Sequence, residues 1–145
     1  MNTRSQEAIV LDVSVARPGD VLDVRLSAPT SGSDLPVIVF SHGYGAFGVS
    51  MHSYQPLVDH WTDHGFVVVQ PNHLDARGLA PDDPRQADLW RLRIADLGDV
   101  VDRLDEILDA VPGLRDRVDA DRIAVAGHSY GATTASGLVD RKSVV

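Results

Sequence analysis

Residues 123–132 read Ile-Ala-Val-Ala-Gly-His-Ser-Tyr-Gly-Ala, and this stretch decides the fold. Its four leading apolar residues predict a strand buried on both faces, and the small residues from Ala132 onward predict a helix. Between them, the pattern Gly-x-Ser-x-Gly predicts a sharp strand-to-helix turn around Ser129. Glycine at both flanks lets neighbouring backbone pass closely, so Ser129 can hold a strained conformation. We therefore expect its hydroxyl at the carboxyl end of a sheet and at a helix N-terminus, where developing negative charge is stabilised.

Strands and helices alternate along the rest of the chain. Two alternating segments around Pro18 and Gly19 predict an antiparallel hairpin, because Pro followed by Gly is typical of a turn. Further strands are predicted at 37–40, 66–69 and 123–126, and helices at 53–64 and 85–111. Such alternation is typical of parallel strands covered by helices on both faces. The sequence thus predicts a doubly wound α/β fold with a mostly parallel sheet and an antiparallel N-terminal edge hairpin, in one domain over residues 1–145.

Composition excludes several classes of function. The chain has no cysteine, which excludes disulfides, thiolate metal sites and a cysteine nucleophile. Its formal net charge of −8 argues against nucleic acid as a partner. No apolar run approaches the roughly 18 residues that a membrane span needs. The polar start of the chain predicts a cytoplasmic protein, or a secreted one whose signal peptide has been removed. We expect a solvated acidic surface, formed by Asp82, Asp83, Asp96, Asp99, Asp102, Asp105 and Glu106.

The turn at 127–131 resembles the nucleophile elbow of α/β-hydrolases. Within that superfamily it is most similar to the branch of chlorophyllase-like, dienelactone-hydrolase-like and platelet-activating-factor-acetylhydrolase-like esterases and polyester-cleaving cutinases. Segments 36–44, 64–71 and 121–127 fit the same branch in the same order, so the resemblance covers about residues 22–139. It implies a serine esterase that needs no cofactor, acts on a small-molecule ester and attacks through Ser129.

The resemblance also implies an oxyanion hole, in which two backbone N–H groups face the carbonyl oxygen that becomes negative during acyl transfer. Tyr130, the residue after the nucleophile, supplies one donor, and Tyr44, which follows His-Gly in the loop after strand 37–40, supplies the other. The Tyr44 ring is also expected to form a wall of the substrate pocket. His128 is expected to pack against the neighbouring strand and border the substrate site, because a residue beside the nucleophile on a tight turn points away from it.

The family's base and acid are missing from their usual place. α/β-Hydrolases order their triad as Ser, then acid, then His, whereas the 16 residues after Ser129 contain no histidine and only Asp140 as an acid. We therefore expect a fragment or a truncated form that lacks the C-terminal strands carrying the acid and base. Its open sheet edge would favour a homo-oligomer or pairing with a complementary piece. A second hypothesis assigns His73 as a substitute base and Asp75 as its acid, because both follow a strand on the active-site side.

Two other functions are alternatives to an esterase. A non-catalytic binding module would keep the pocket and the elbow but lack the acid and base. A metal site would use His60 and His64, which stand four residues apart on a predicted helix. No Glu follows His60 and no further ligand is placed to complete a shell, so we predict no metal.

Overall fold

The computed structural model describes residues 7–143, with side-chain environments through residue 140. Its strands form one mixed sheet and comprise β1 (Ile9–Arg17), β2 (Asp20–Ala28), β3 (Leu35–Ser41), β4 (Val67–Pro71) and β5 (Val118–Gly127). The helices are α1 (Gln55–Asp63), α2 (Leu89–Asp102), α3 (Leu104–Leu108), α4 (Leu114–Arg117) and α5 (Tyr130–Ser143). Short 3-10 turns cover Gly45–Phe47, Leu74–Arg77 and Pro84–Asp88.

The sheet has the spatial order β1-β2-β4-β3-β5. β1 and β2 form the predicted antiparallel hairpin, which turns at Gly19 with a φ of +73°. β2 also pairs antiparallel with β4, whereas β3 pairs parallel with both β4 and β5. The mixed sheet, with its parallel strands β4, β3 and β5 and its antiparallel N-terminal edge, confirms the predicted α/β fold class. Because β4, β3 and β5 run parallel, their carboxyl ends and the loops that follow them meet at one edge.

Alternating side chains of the central strands enter two separate cores. Val37 and Val39 of β3 face the core under α2, α3 and α5, while Ile38 and Phe40 face the core under α1. This alternation follows from the two-residue repeat of a strand. Burying each such apolar side chain contributes roughly 1.5–3 kcal/mol relative to leaving it exposed. Helices cover both faces of the sheet, so the doubly wound layering expected from the apolar runs is present.

The single long helix predicted over 85–111 is wrong. A 3-10 turn starts at Pro84, α2 follows, and the helix breaks at Arg103, whose backbone leaves the helical region with φ −113° and ψ 23°. The Arg103 guanidinium donates to the carbonyl of Ala16 in β1 and to the Glu106 carboxylate. These contacts fix Arg103 at the break. Its partner Ala16 lies far away in the sequence, so the helical pattern of 85–111 could not indicate the break. Within the described residues, no helix is long and apolar enough to cross a bilayer.

The expectation of a fully buried third parallel strand also needs correction. β5 is half-buried, with Ala124 exposed, because it is the last strand of the sheet and pairs only with β3. Along its free side a groove of about 360 Å³ runs between the end of β5 and α5. Val139 of α5 lies in this groove with 53% of its surface exposed. The described residues thus leave an open sheet edge beside an apolar groove.

Candidate active site

Ser129 lies in a strained turn between β5 and α5. Its φ of +57° is in the left-handed region, which non-glycine residues rarely adopt. The turn is tight, since Gly131 N–H donates to the His128 carbonyl at 2.9 Å and Ala132 N–H to the Ser129 carbonyl at 3.0 Å. The Ser129 side chain is exposed and makes no hydrogen bond to any described residue. The turn therefore presents a free hydroxyl at the carboxyl edge of the sheet.

Glycine is required at both flanks of this turn by close backbone contacts. A Cβ on Gly127 would lie 2.1 Å from the Gly131 carbonyl oxygen. A Cβ on Gly131 would lie 1.9 Å from the Ser41 carbonyl oxygen at the end of β3. His128 N–H also donates to that Ser41 carbonyl, at 3.1 Å. The turn is thus pressed against the end of the neighbouring strand, which fixes its conformation.

The loop after β3 comes to lie beside this turn. Gly43 N–H donates to the Tyr54 hydroxyl at 2.9 Å, and Gly45 N–H donates to Asp75 Oδ2 at 2.7 Å. Between them, the Tyr44 amide makes no hydrogen bond within the described part of the chain, and the same holds for the Tyr130 amide at the start of α5. The two tyrosine rings stack with centroids 5.9 Å apart. The structure brings together the two residues expected to donate to an oxyanion; that donation itself stays a prediction.

An open cleft of about 590 Å³ leads to Ser129. Its walls include both tyrosines and Phe47, whose side chain is 83% exposed and packs edge-to-face on Tyr44. The lining residues are Tyr44, Phe47, Ser129, Tyr130 and Thr133. His128, expected to border the substrate site, does not line this cleft. Its Nδ1 is hydrogen-bonded to the Tyr54 hydroxyl at 2.9 Å, and its role as a substrate contact remains a prediction.

His73 and Asp75 are not assembled with Ser129. His73 is buried and lies between two other partners, with its Nε2 2.7 Å from Ser41 Oγ and its Nδ1 2.8 Å from Asp96 Oδ2. Asp75 pairs instead with Arg93 at 2.7 Å. Among the described residues, no hydrogen bond therefore joins Ser129, His73 and Asp75, because His73 and Asp75 bind other groups in the interior.

Asp96 contradicts the expectation of a purely solvated acidic surface, because it is only 5% exposed. Burial raises its pKa to about 6, although its hydrogen bond and charge interaction with Arg17, at 2.6 Å, act in the opposite direction. Burial also lowers the pKa of His73 well below its usual value, helped by the nearby positive charge of Arg93. His73 is therefore neutral at pH 7. Its Nδ1–H donates to Asp96 and its Nε2 accepts from Ser41.

Sequence reasoning missed three residues of this region: Tyr54, Arg93 and Asp96. For Arg93 a signal was present in the sequence. Arg93 lies four residues after Leu89 and four before Leu97, and all three are buried on one face of α2. A charged residue at a core position of an apolar stripe needs a buried partner. Tyr54 carried no such signal, since its partners Gly43 and His128 are distant in sequence.

The two histidines considered as metal ligands lie side by side on α1. The rings of His60 and His64 are 4.4 Å apart, and His64 Nδ1 is bonded to the His60 carbonyl. Across the described residues, no group of three or more His, Cys, Asp or Glu side chains is arranged to hold a metal ion.

Comparisons with known proteins identify the family and the fold of the chain. The sequence model of the chlorophyllase family matches residues 3–143. Chlorophyllase-1 of Arabidopsis thaliana is 28% identical over 112 residues, which make up 77% of this chain and 31% of that protein. Among solved structures, a thermophilic carboxylesterase cloned from a metagenomic library has a TM-score of 0.65 and 28% identity, covering 93% of this chain and 42% of its own. A hyperthermophilic esterase from the archaeon Pyrobaculum calidifontis has a TM-score of 0.63 and 26% identity, covering 92% and 41%. The chain thus spans less than half the length of these relatives.

Proposed function

The chain belongs to the chlorophyllase family, within the α/β-hydrolase fold, and from this premise we propose that it is a serine hydrolase of carboxylic esters that acts through an acyl-enzyme on Ser129. The observation that carries the proposal is the exposed Ser129 hydroxyl, in a left-handed turn at a helix N-terminus, facing an apolar cleft. The two solved relatives named above, which are 28% and 26% identical to this chain, are a carboxylesterase and an esterase. The choice of Ser129 rests on this chain's own geometry.

In the proposed reaction, Ser129 Oγ attacks the ester carbonyl carbon while a base takes its proton. The carbonyl oxygen becomes an oxyanion, which the amides of Tyr44 and Tyr130 stabilise; losing one such donor typically costs about 3 kcal/mol. The C–O bond then breaks, the alcohol leaves with a proton from the base, and the acyl group stays on Ser129. Water attacks the acyl-enzyme by the same steps and releases the acid.

The exposed aromatic walls of the cleft suit an apolar part of the ester. Phe47 and the stacked pair of Tyr44 and Tyr130 offer ring faces and edges on the side of the cleft next to Ser129. The residues that line the cleft are all uncharged. We therefore expect a neutral, apolar ester to bind better than a charged one.

The proposed reaction also needs a histidine as base and an acid that orients it. Residues 130–145 hold no histidine, and His73 is bonded to Ser41 and Asp96. The longer relatives extend well beyond the part that this chain matches. We expect residues equivalent to that further part to supply the histidine and the acid, in the order usual for this fold.

Labelling with a fluorophosphonate and hydrolysis of a short p-nitrophenyl ester test this proposal. Each is measured on the 145-residue chain alone and on the chain mixed with the C-terminal portion of a relative. We expect slow reaction alone and rapid reaction in the mixture. Ser129→Ala should abolish labelling and nearly all turnover, while Ser136→Ala, an exposed serine on the same helix, should leave both unchanged.

The opposite results are equally informative. A Ser129→Ala protein that keeps a tenth of the activity contradicts the nucleophile assignment. Rapid turnover by the chain alone contradicts the expected need for a further histidine. No labelling in the mixture, together with binding of the ester, identifies the alternative function: a binding module that keeps the cleft but lacks the chemistry.

A further inference from the structure

Arg93 is a fully buried cation at the base of the candidate active site. None of its side chain is exposed, and it lies on the inner face of α2. A guanidinium has five N–H donors in a rigid fork and stays charged when buried. Here those donors reach groups from three different segments of the chain. Burying such a charge costs desolvation free energy, which its contacts inside the protein must offset.

On one side, Arg93 fixes the loop after β3 at two points. One terminal nitrogen donates to the carbonyl of His42, immediately before the Gly43-Tyr44 step. The other donates to Asp75 Oδ2 at 2.7 Å, and the same oxygen accepts Gly45 N–H at 2.7 Å. The free Tyr44 amide lies between these two anchors. Asp75 depends on this arrangement, because its Oδ1 has no hydrogen-bond partner among the described residues.

On the other side, Arg93 contacts the start of α5 beside Ser129. Its guanidinium carbon lies 4.5 Å from the centre of the Tyr130 ring, a cation–π contact. Its Nε donates to Thr134 Oγ1 at 3.1 Å, and Thr134 Oγ1 in turn donates to the Tyr130 carbonyl. One planar group therefore contacts both segments that carry the proposed oxyanion donors.

We propose that Arg93 is a positioning residue that fixes the Tyr44 and Tyr130 amides in their positions relative to each other, with Asp75 as its partner on the loop side. It touches neither the substrate nor the reacting atoms. The catalytic consequence of this inference rests on the proposed function. The juxtaposition of the two segments is a structural claim that can be tested separately.

Lysine cannot replace Arg93, because an ammonium is a single point charge that cannot reach the His42 carbonyl, Asp75 and Thr134 together. The first variant is therefore Arg93→Lys, which keeps the charge. The second is the pair Arg93→Met with Asp75→Asn, which removes both charges and leaves no buried charge unpaired. The control is Arg25→Lys, a partly buried arginine that bonds Gln55 and Asp12 instead.

The structural readout is backbone amide hydrogen exchange in the protein. We expect exchange of the hydrogen-bonded amides to become about tenfold faster both in the loop, at Gly43 and Gly45, and at the start of α5, at Gly131 and Ala132, in each Arg93 variant, while amides of β3 and β4 keep their wild-type rates. Arg25→Lys should change neither segment. Wild-type exchange at both segments, or faster exchange at only one of them, overturns the proposal.

The catalytic readout is the hydrolysis of a p-nitrophenyl ester by the chain mixed with the C-terminal portion of a relative. We expect kcat to fall by about tenfold to a hundredfold with little change in KM, since the donors act on the oxyanion and not on the bound ester. An unchanged kcat, or a rise in KM alone, contradicts a role in positioning the donors. A wild-type protein whose Ser129 never reacts with a fluorophosphonate defeats the proposed function instead, and amide exchange still decides the role of Arg93.

Discussion

At the scale of single residues, the backbone of Ser129 is strained, with a φ of +57°. A left-handed backbone at a non-glycine residue costs about 1–2 kcal/mol. That cost is tolerated because the surroundings leave no alternative: β5 ends at Gly127, α5 begins at Tyr130, and the Ser41 carbonyl blocks any outward shift. The strain keeps the hydroxyl exposed instead of packed against the helix. A nucleophile needs that exposure.

The glycine contacts give a prediction with an internal control. Gly131→Ala should destabilise the protein by about 3 kcal/mol and suppress Ser129 labelling, because the new methyl would overlap backbone of β3. Gly98→Ala, in the interior of α2, meets nothing closer than a Leu138 methyl at 3.9 Å. It should stabilise the protein by about 0.5–1 kcal/mol through helix propensity. Urea unfolding measures both; equal stability of the two variants would contradict the packing described for the turn.

At the scale of secondary-structure elements, the site is an assembly of loops held by helices. The hydroxyl of Tyr54, at the start of α1, accepts from Gly43 N–H and is hydrogen-bonded to His128 Nδ1, so it links the loop after β3 to the Ser129 turn. Arg93 of α2 makes the second link from the other face of the sheet. Two helices on opposite faces thus fix the same pair of segments.

The free edge of β5 predicts self-association of the chain. An exposed edge strand offers unpaired N–H and C=O groups to another chain, and the groove beside Val139 adds apolar surface. We expect concentration-dependent dimers or larger species by light scattering coupled to gel filtration. Ala124→Lys places a charge on this edge and should shift the population towards monomer, whereas Ala80→Lys, on an exposed loop, should not. A chain that is monomeric at all concentrations would contradict this use of the edge.

At the scale of the whole molecule, buried polar groups connect the sheet, α2 and the loops. Arg17 of β1 bonds Asp96, Asp96 bonds His73, and His73 bonds Ser41 of β3. His42 lies beside this chain, with its Nε2 accepting from the His73 amide. Burial lowers the pKa of both histidines. Folding therefore keeps them neutral, which makes stability depend on pH.

The sign of that dependence follows from the direction of the shifts. Below the unfolded pKa of about 6.5, the unfolded chain binds protons that the folded chain does not, so stability falls as pH decreases. Each histidine contributes a slope of up to about 1.4 kcal/mol per pH unit. Asp96 acts in the opposite direction: with its pKa raised to about 6, the folded chain takes up a proton as pH falls from 6 towards 3.8. The loss should therefore be clearest between pH 7 and 6.

Urea unfolding at pH 7.0, 6.5 and 6.0 (about half-unit steps across the histidine pKa) checks this expectation. His73→Gln cannot titrate and should reduce the slope of stability against pH, whatever it does to stability at pH 7. Ser136→Ala, which changes an exposed side chain on α5 that does not titrate, should keep the wild-type slope. A His73→Gln protein with an unchanged slope would show that His73 titrates normally in the folded chain.

The sequence by itself determined the fold class and the position of Ser129, because both depend on interactions between residues that are close together in the chain. Apolar runs define the strands, and Gly127 and Gly131 define the turn, through sterics that act over a few residues. It also placed Tyr44 in the loop after β3, through resemblance to a family. Local patterns failed where a distant contact intervened, as at the helix break at Arg103 and at the half-exposed edge strand.

Only the tertiary structure decided what surrounds that turn. Arg93 meets Asp75 across 18 positions of sequence, Tyr54 meets His128 across 74, and Arg17 meets Asp96 across 79. No periodicity or motif encodes such pairs, because a buried charge is tolerated only where the completed fold supplies its partner. For the same reason His73 and Asp75, which are two positions apart in the chain and were the candidate base and acid, bind other partners: His73 binds Ser41 and Asp96, and Asp75 binds Arg93 of α2.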